Sequence, residues 1–376
     1  MHFSIDRKYF YDKLSIVSRA ISVFSPLPAL SGICIDLKDG SMILTGSDSN
    51  ISIRTVIVPG ELNNLDIEEE GSIIIDSKYL LEIVRKLDCK NIEIEVIDYS
   101  LVRISSDNGQ FNLNGIRSNE YPDIDFTQPN HHFVLKATDL KSIVSQTAFA
   151  CSDKDQRPVL TGVNFNSQGN MLYCSGTDSY RLANKVVNLE KSSEENFNIV
   201  IPSHNILEFT RILDDDEDGN VEMHISNNKV LFIYKNLKFQ SRLINGTYPN
   251  TSNLMPKEDF LIVYTKLNDL YNVIDRASIL TSDKDKNIVT LETNGNVLTL
   301  KSSSQEIGRV EEKMNITKNN EEEIRISFSA KYMMEALKSF STETVEIHFV
   351  GEIKPILVKS SEDETLTQLV LPIRTY

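Results

Sequence analysis

The stretch Leu30–Ile33 (LSGI), followed by Leu44–Ser49 (LTGSDS), returns as Leu160–Val163 (LTGV) and Tyr173–Ser179 (YCSGTDS), with Gly32 and Gly162, and Asp48 and Asp178, each 130 positions apart. A third, fainter copy begins at Phe260, 127 positions beyond Phe133 in the second copy. Repeated supersecondary units bury their apolar faces by stacking on one another. The repetition therefore predicts an array or a ring.

Each copy has an inner period. The short strands Ser72–Ser77 (SIIIDS), Asn198–Ser203 (NIVIPS) and Arg325–Ser329 (RISFS) each lead through an N-cap residue into a helix pattern. The helix starts Lys78–Glu82 (KYLLE) and Lys331–Glu335 (KYMME) also match each other. This pattern predicts an α+β fold of three similar domains, each made of two strand-helix-strand-strand(-strand) half-units.

Breaks in the pattern at Pro, Asn and Thr place the domain boundaries near Phe126–Pro129 and Tyr248–Thr251. The predicted domains are 1–127, 128–250 and 251–376, each of ordinary size for a single domain.

The charge of the chain is unevenly distributed. The net charge is −15, which taken alone argues against binding nucleic acid. The six predicted helices, at about 6–22, 76–90, 137–150, 203–213, 265–280 and 329–340, nevertheless carry +4 together and leave −19 for the rest. A weakly basic helical face without aromatic platforms would hold a phosphate backbone loosely and without sequence preference.

Projection of the helices separates an apolar stripe from a charged face. The stripes include Phe10, Leu14, Val17 and Ile21 in the first helix, Leu80, Val84 and Leu87 in the second, and Met333, Leu337 and Phe340 in the sixth. The exposed faces are expected to carry eight cations, Lys8, Arg19, Lys78, Arg85, Lys86, Arg211, Lys331 and Lys338, against five acids, Asp12, Glu82, Glu208, Asp275 and Glu335.

Motifs for catalysis, metals and cofactors are missing from the sequence. Asp48 and Asp178 could be read as paired carboxylates, but their repetition favours a turn in which the aspartate binds its own backbone. The chain has neither a His-Glu-x-x-His spacing nor a phosphate-binding Gly-x-x-x-x-Gly-Lys-Ser/Thr loop. Asp214–Gly219 imitates an EF-hand loop, yet its twelfth position is Ile225. We therefore expect no enzyme, no metal and no cofactor.

The location of the protein is also predicted. The charged start and the lack of a long apolar run argue against export and membrane insertion. The scattered cysteines Cys34, Cys89, Cys151 and Cys174 favour free thiols in a reducing cytoplasm.

Several segments together resemble the bacterial DNA polymerase III beta subunit family of sliding clamps. They are Phe3–Arg7, Leu27–Gly32, Gly46–Ser49, Phe111–Gly115 with Glu120–Pro122, Arg157–Asn164, Thr177–Ala183, Ile212–Asp215, Asp275–Ser278 and the ending Gln368–Tyr376. The resemblance covers essentially the whole length in order.

The resemblance implies a DNA-clamp fold in which two chains join head to tail into a ring. Helices would line the inside around duplex DNA, and sheets would form the outside. The chain would tether the replicative polymerase for processive synthesis as a noncatalytic part of a DNA-directed DNA polymerase holoenzyme. The residues expected to face DNA without sequence preference are Lys8, Arg19, Lys78, Arg85, Lys86, Lys154, Arg211, Lys331 and Lys338.

The resemblance further implies one pocket per chain for peptide motifs of the polymerase, the clamp loader and repair proteins. Carried over position by position, its lining is Arg157, Leu160, Thr177, Ser179, Tyr180, Arg181, Leu182, Pro249, Leu254, Ser329, Tyr332, Leu369, Val370, Leu371, Pro372, Ile373 and Arg374. Aliphatic side chains beside two arginines suit short motifs with apolar anchors and an acidic or amide group.

The chain departs from the family pattern at five positions. Tyr180 stands where many members carry His, Pro158 and Asp285 replace aromatic residues, and Phe24 and Asn253 replace arginines. An alternative from a different class is an acidic multidomain adaptor that binds proteins and never encircles DNA.

Overall fold

The computed structural model describes residues 1–22, 24–129, 132–154, 156–189, 196–216, 219–251, 254, 260–281, 287–304 and 306–374. Contacts divide the chain into two compact units, 1–138 with 208–243 and 139–207 with 244–376. Asn253 and Asp285, two of the departures noted above, lie outside the described residues.

Six α-helices occur in the described residues, each at a predicted place. They are α1 (Arg7–Val17), α2 (Ser77–Lys86), α3 (Ala137–Thr147), α4 (Ser203–Thr210), α5 (Leu267–Ser278) and α6 (Ala330–Lys338). Asp6, Asp76 and Ser329 cap α1, α2 and α6 through a side-chain oxygen. The predicted α1 and α3 were too long because both helices tighten into 3₁₀ turns, at Ser18–Ala20 and Ala148–Ala150.

The strands of the first unit form two antiparallel sheets. From residues 1–138 they are β1 (His2–Asp6), β2 (Gly32–Lys38), β3 (Ser41–Ser47), β4 (Ile51–Ile57), β5 (Asp66–Glu69), β6 (Gly71–Asp76), β7 (Asn91–Asp98), β8 (Leu101–Ser106), β9 (Gly109–Asn114), β10 (Ile116–Arg117) and β11 (His132–Lys136). From residues 208–243 they are β16 (Asn220–Ile225), β17 (Lys229–Tyr234) and β18 (Leu237–Arg242). One sheet has the order β5-β1-β7-β8-β9 and the other β10-β6-β2-β3-β4-β18-β17-β16-β11.

The second unit is built in the same way. Its strands are β12 (Gly162–Gln168), β13 (Met171–Thr177), β14 (Arg181–Asn188), β15 (Asn198–Pro202), β19 (Leu261–Lys266), β20 (Ile288–Asn294), β21 (Val297–Ser304), β22 (Gly308–Asn315), β23 (Thr317–Lys318), β24 (Arg325–Ser329), β25 (Thr344–Phe349), β26 (Ile356–Lys359) and β27 (Leu366–Val370). The sheet orders are β15-β12-β13-β14-β27-β26-β25-β19-β23 and β22-β21-β20-β24.

Each nine-stranded sheet is continuous across a predicted domain boundary. In the first unit β4 pairs with β18, and in the second β14 pairs with β27. The two junctions are equivalent, since β4 and β14 lie one repeat apart in the sequence.

The repeated glycine of the opening motif has a packing reason. A Cβ atom on Gly46 would lie 2.6 Å from the carbonyl oxygen of Val17, and one on Gly176 would lie 2.3 Å from that of Thr147. Only glycine lets the strand approach the helix end this closely.

The apolar stripes pack largely as predicted. Phe10, Leu14, Val17, Leu80, Val84, Met333, Leu337 and Phe340 are buried, whereas Ile21 and Leu87 are only partly covered. One prediction about the charged faces was wrong. Glu208 of α4 is only 8% exposed, and its carboxylate pairs with Arg19 and Arg211. In the described residues, no helix is long and apolar enough to cross a membrane.

Candidate protein-binding and nucleic-acid interfaces

The Asp178 turn positions two predicted pocket residues. The Oδ1 atom of Asp178 accepts hydrogen bonds from the backbone N–H groups of Tyr180 (2.8 Å) and Arg181 (3.0 Å). Ser179 takes a left-handed conformation with φ 76°. Asp48 makes the same bonds to Asn50 and Ile51. The predicted backbone-binding role of both aspartates is therefore confirmed.

Arg181 is the most connected side chain of this region. Its guanidinium pairs with Asp178 at 3.1 Å and with Glu335 of α6, and donates to the carbonyl oxygen of Phe149 at 2.7 Å. It also lies 4.5 Å from the ring centroid of Tyr332. Partial burial raises the pKa of the Tyr332 hydroxyl, so this ring stays neutral beneath the cation. Tyr180, by contrast, is 63% exposed.

An apolar row crosses the β14–β27 junction on the sheet face opposite the helices. Leu182 pairs with Leu369, and Leu369 pairs with Leu357 of β26. The three side chains form one buried cluster, against which the partly buried Leu371 packs. Leu357 was missed from the sequence, because it comes near Leu182 only through the pairing of β14 with β27, which has no local signal.

The C-terminal segment is held at the same place. The N–H of Leu371 donates to the carbonyl oxygen of Tyr180 (2.9 Å), and that of Ile373 to Ser327 (2.7 Å). Val370 is buried in the core, whereas Leu371, Pro372 and Ile373 are partly exposed. The structure thus brings the predicted residues of the ending together with Tyr180, Arg181 and Leu182.

Other predicted pocket residues form different groupings. Leu160 packs with Val200 and Tyr248 in a separate buried cluster. Thr177 and Ser329 are buried, and their hydroxyl groups serve the Asp178 turn and the α6 N-cap. Arg157, Pro249, Leu254 and Arg374 are exposed, like Ser179.

The equivalent face of the first unit lacks the apolar row. The residues matching Leu182 and Leu369 across the β4–β18 junction are Ser52 and Gln240. The Oε1 atom of Gln240 is buried and finds no hydrogen-bond partner in the described part of the chain. The apolar row is therefore a feature of the second unit and not of the repeated fold.

The nine predicted DNA-facing residues are all exposed, but they differ in their partners. Arg85 and Lys86 both pair with Glu82, whose pKa is lowered by those two hydrogen bonds. Arg19 and Arg211 share Glu208. Lys8, Lys78, Lys154, Lys331 and Lys338 make no ion pair with the described residues. Lys338 instead contacts the Tyr271 ring, and a hydrogen bond with the Tyr271 hydroxyl raises the pKa of the Lys338 ammonium group.

No group of His, Cys, Asp or Glu among the described residues is arranged to hold a metal ion. The four cysteines are free, and burial raises the pKa of Cys34 to about 11 and that of Cys151 to about 12. Protonated thiols of this kind are poor nucleophiles.

The fold belongs to the class of DNA clamps. Family models of the DNA polymerase III beta subunit match the chain at residues 1–125 (N-terminal domain), 134–250 (central domain) and 252–374 (C-terminal domain). The chain is 38% identical to the beta sliding clamp of Staphylococcus epidermidis and 39% identical to that of Staphylococcus aureus, with 100% of each chain covered. Sliding clamps solved from Bacillus subtilis (36% identity, TM-score 0.96) and Streptococcus pneumoniae, as the polymerase III beta chain (33%, 0.95), are covered completely as well.

The chain belongs to the DNA polymerase III beta subunit family. It is a DNA sliding clamp, a noncatalytic processivity factor that works with DNA and the polymerase. The alternative of an adaptor that never encircles DNA finds no support in these similarities.

Proposed function

We propose that two copies of this chain close head to tail through β9 and β22. By position in the repeat, β9 is equivalent to β18 and β27, while β22 is equivalent to β4 and β14. The β4–β18 and β14–β27 pairs are made within the chain, and β9 and β22 remain as sheet edges. An unpaired strand edge is a template for another strand. Phe111 on β9 is 42% exposed and Ile307 beside β22 is 67% exposed, so both gain from burial.

The closed dimer would surround duplex DNA with its six helices per chain. Lys8, Arg19, Lys78, Arg85, Lys86, Lys154, Arg211, Lys331 and Lys338 would meet phosphates without reading bases. Because four of these cations are already paired with carboxylates, the attraction is weak and permits sliding. In this proposal each chain has three domains, at residues 1–127, 128–250 and 251–376. The protein works in the cytoplasm.

The second unit would bind short peptide motifs of the replicative polymerase, the clamp loader and other clamp-binding proteins. The observation that carries this proposal is the apolar row Leu182–Leu369–Leu357, which lies beside Arg181 and the partly exposed Leu371. Leu371, which packs on this buried row and is itself partly exposed, offers apolar anchors a surface, while Arg181 offers charge-assisted hydrogen bonds to an acidic or amide group.

Two experiments test these proposals. The labelled peptide Gly-Leu-Ser-Leu-Phe should bind the protein, and Leu371→Ala should weaken that binding about tenfold, whereas Leu62→Ala on an exposed loop should not. Equal affinities of the two variants would contradict the pocket. Protein loaded onto a nicked DNA circle should be lost when the circle is cut, and retention on the linear product would contradict encirclement.

A further inference from the structure

A polar depression lies on the face of the nine-stranded sheet of the second unit that also carries Leu182. Its cavity volume is about 700 Å³, and its lining includes Asn164, Asn166, Asn184, Asn198, Tyr173 and Tyr248. No Asp, Glu, Lys or Arg is among the described residues that line it. Its chemistry is that of amides and hydroxyl groups, without charge.

The polar cavity and the apolar row occupy neighbouring positions on one sheet face. Thr177 pairs with Leu182, and two residues earlier on the strand Ser175 pairs with Asn184. Because side chains two apart on a strand share a face, Asn184 stands directly beside Leu182. The cavity therefore begins two strand positions away from Leu182 on the same sheet face.

Some of the amides are fixed and others are left for a ligand. Asn164 donates to Asn198 Oδ1 (2.6 Å) and to the carbonyl oxygen of Ile199 (3.1 Å), and Ser175 donates to Asn184 Oδ1 (2.9 Å). The Nδ2 atom of Asn184 and the whole Asn166 amide have no partner among the described protein groups. An amide carries both a donor and an acceptor, which match the two polar groups of a peptide bond.

The first unit shows that the cavity does not follow from the fold alone. One repeat earlier, the positions of Asn164, Asn166 and Asn184 hold Cys34, Asp36 and Arg54. Phe126 is buried there, with its ring centroid 4.3 Å from the Arg54 guanidinium carbon. A charged and covered surface in one unit thus corresponds to a neutral, open one in the other.

We propose that this cavity binds the uncharged polar flank of the same peptide whose apolar anchors pack on Leu371 above the row. This inference rests on the proposed peptide-binding function. Asn166 and Asn184 hydrogen-bond the backbone or the Asn, Gln, Ser and Thr side chains of the flank, and a charged flank is excluded because no countercharge lines the cavity. The two residues add affinity and distinguish among partners that share the same anchors.

The test compares Gly-Leu-Ser-Leu-Phe with two longer peptides that carry Asn-Gln-Ser-Thr-Gly at either end, using fluorescence anisotropy. One of the longer peptides should bind about tenfold more tightly than the short one. The double variant Asn166→Ala/Asn184→Ala should abolish that advantage and leave the short peptide unchanged. Asn227→Ala, at an exposed turn of the first unit, should preserve both affinities. If the double variant misfolds, Tyr173→Phe takes its place in the test. This variant keeps the ring and removes only the hydroxyl group, and it should lose part of the affinity advantage of the longer peptide.

The outcomes separate the two proposals. If none of the peptides binds, the peptide-binding function fails. If the short peptide binds and neither extension adds affinity, the cavity proposal alone is overturned. It is also overturned if a peptide with a Glu-rich flank binds as tightly as the one with the neutral flank. A third contradicting result would be that single-stranded oligo(dT) displaces the longer peptide from the unaltered protein but not from Asn166→Ala.

Discussion

Arg181 and Glu335 form an ion pair that joins the start of β14 to α6. The arginine side chain is 11% exposed and the glutamate 34%. Arg181 also donates to the carbonyl oxygen of Phe149 in the 3₁₀ turn that follows α3, and Gln368 of β27 donates to the carbonyl oxygen of Gln146 in α3 itself at 3.0 Å. The place where a partner peptide would dock is therefore braced by polar contacts from two helices.

Arg181→Ala should lower the free energy of unfolding by about 2 kcal/mol, because it leaves Asp178 and Glu335 without their shared cation. Chemical denaturation checks this value. Glu335→Gln should cost less than about 1 kcal/mol, since Glu335 is a third exposed and Arg181 keeps Asp178.

The same two variants should have opposite effects on peptide binding. Glu335→Gln should raise the affinity for a peptide with one carboxylate, because Arg181 is released from an internal competitor. Arg181→Ala should lower that affinity. If Glu335→Gln weakened the binding of the acidic peptide as much as Arg181→Ala did, Glu335 would be a positioning residue and not a competitor.

DNA contacts should depend on the unpaired lysines more than on the paired cations. In Lys8→Ala/Lys331→Ala, the slope of log affinity against log salt for duplex DNA should fall by about 0.9 per lost phosphate contact. Arg85→Ala/Lys86→Ala should change the slope less, because Glu82 already neutralises part of that charge. Anisotropy with a fluorescent duplex over a salt series measures both.

A control removes two positive charges elsewhere. Lys38→Ala/Lys354→Ala lies on exposed positions of β2 and of the loop before β26, outside the helices. A slope change in this control equal to that of Lys8→Ala/Lys331→Ala would mean that net charge alone governs the interaction.

Local patterns explain why the sequence predicted the helices, the repeat and the Asp178 turn. Each depends on residues close in the chain, such as Gly176 beside Asp178 or Ser329 three positions before Tyr332. The β4–β18 and β14–β27 pairs, by contrast, join strands more than 180 residues apart, and no local signal reports them.

The missed site features follow from the same limit. Helical projection placed Glu208 at the surface, but it could not foresee that Arg19, in the 3₁₀ turn after α1 and far away in the sequence, would pair with it. The meeting of Asn164 and Asn184 on either side of Ser175 was likewise hidden until the strand registers were known. The individual DNA-facing and pocket residues remain predictions.

His2 should make stability depend on pH. Its Nε2 and Nδ1 atoms lie 2.6 Å from Glu93 and 2.9 Å from Glu68. Partial burial lowers the pKa of His2, but the hydrogen bond to Glu93 and the surrounding glutamates outweigh it and hold the pKa above 6.5. A raised pKa means that the stabilisation is complete below pH 6.5 and is lost as the pH rises through the folded value.

His2→Gln should therefore lower the Tm relative to the unaltered chain at pH 6 and leave it equal at pH 9. The contribution should stay below about 1 kcal/mol because both glutamates are more than half exposed. The exposed His204→Gln is the matched control and should show no such difference. A His2→Gln deficit that persists at pH 9 would indicate lost packing and not lost charge.

The head-to-tail closure predicts a specific change in mass. The chain has a mass of 42.6 kDa, and light scattering should give twice that value. Phe111→Asp places a charge on the β9 edge, where β22 of the partner would have to bury it, so the measured mass should fall to that of one chain. The control is Val134→Asp on β11, a half-exposed apolar position on another strand that ends a sheet. Because β11 has no role in closure, this variant should remain a dimer. If both variants stay dimeric, or if Val134→Asp alone dissociates, β9 is not the closing edge.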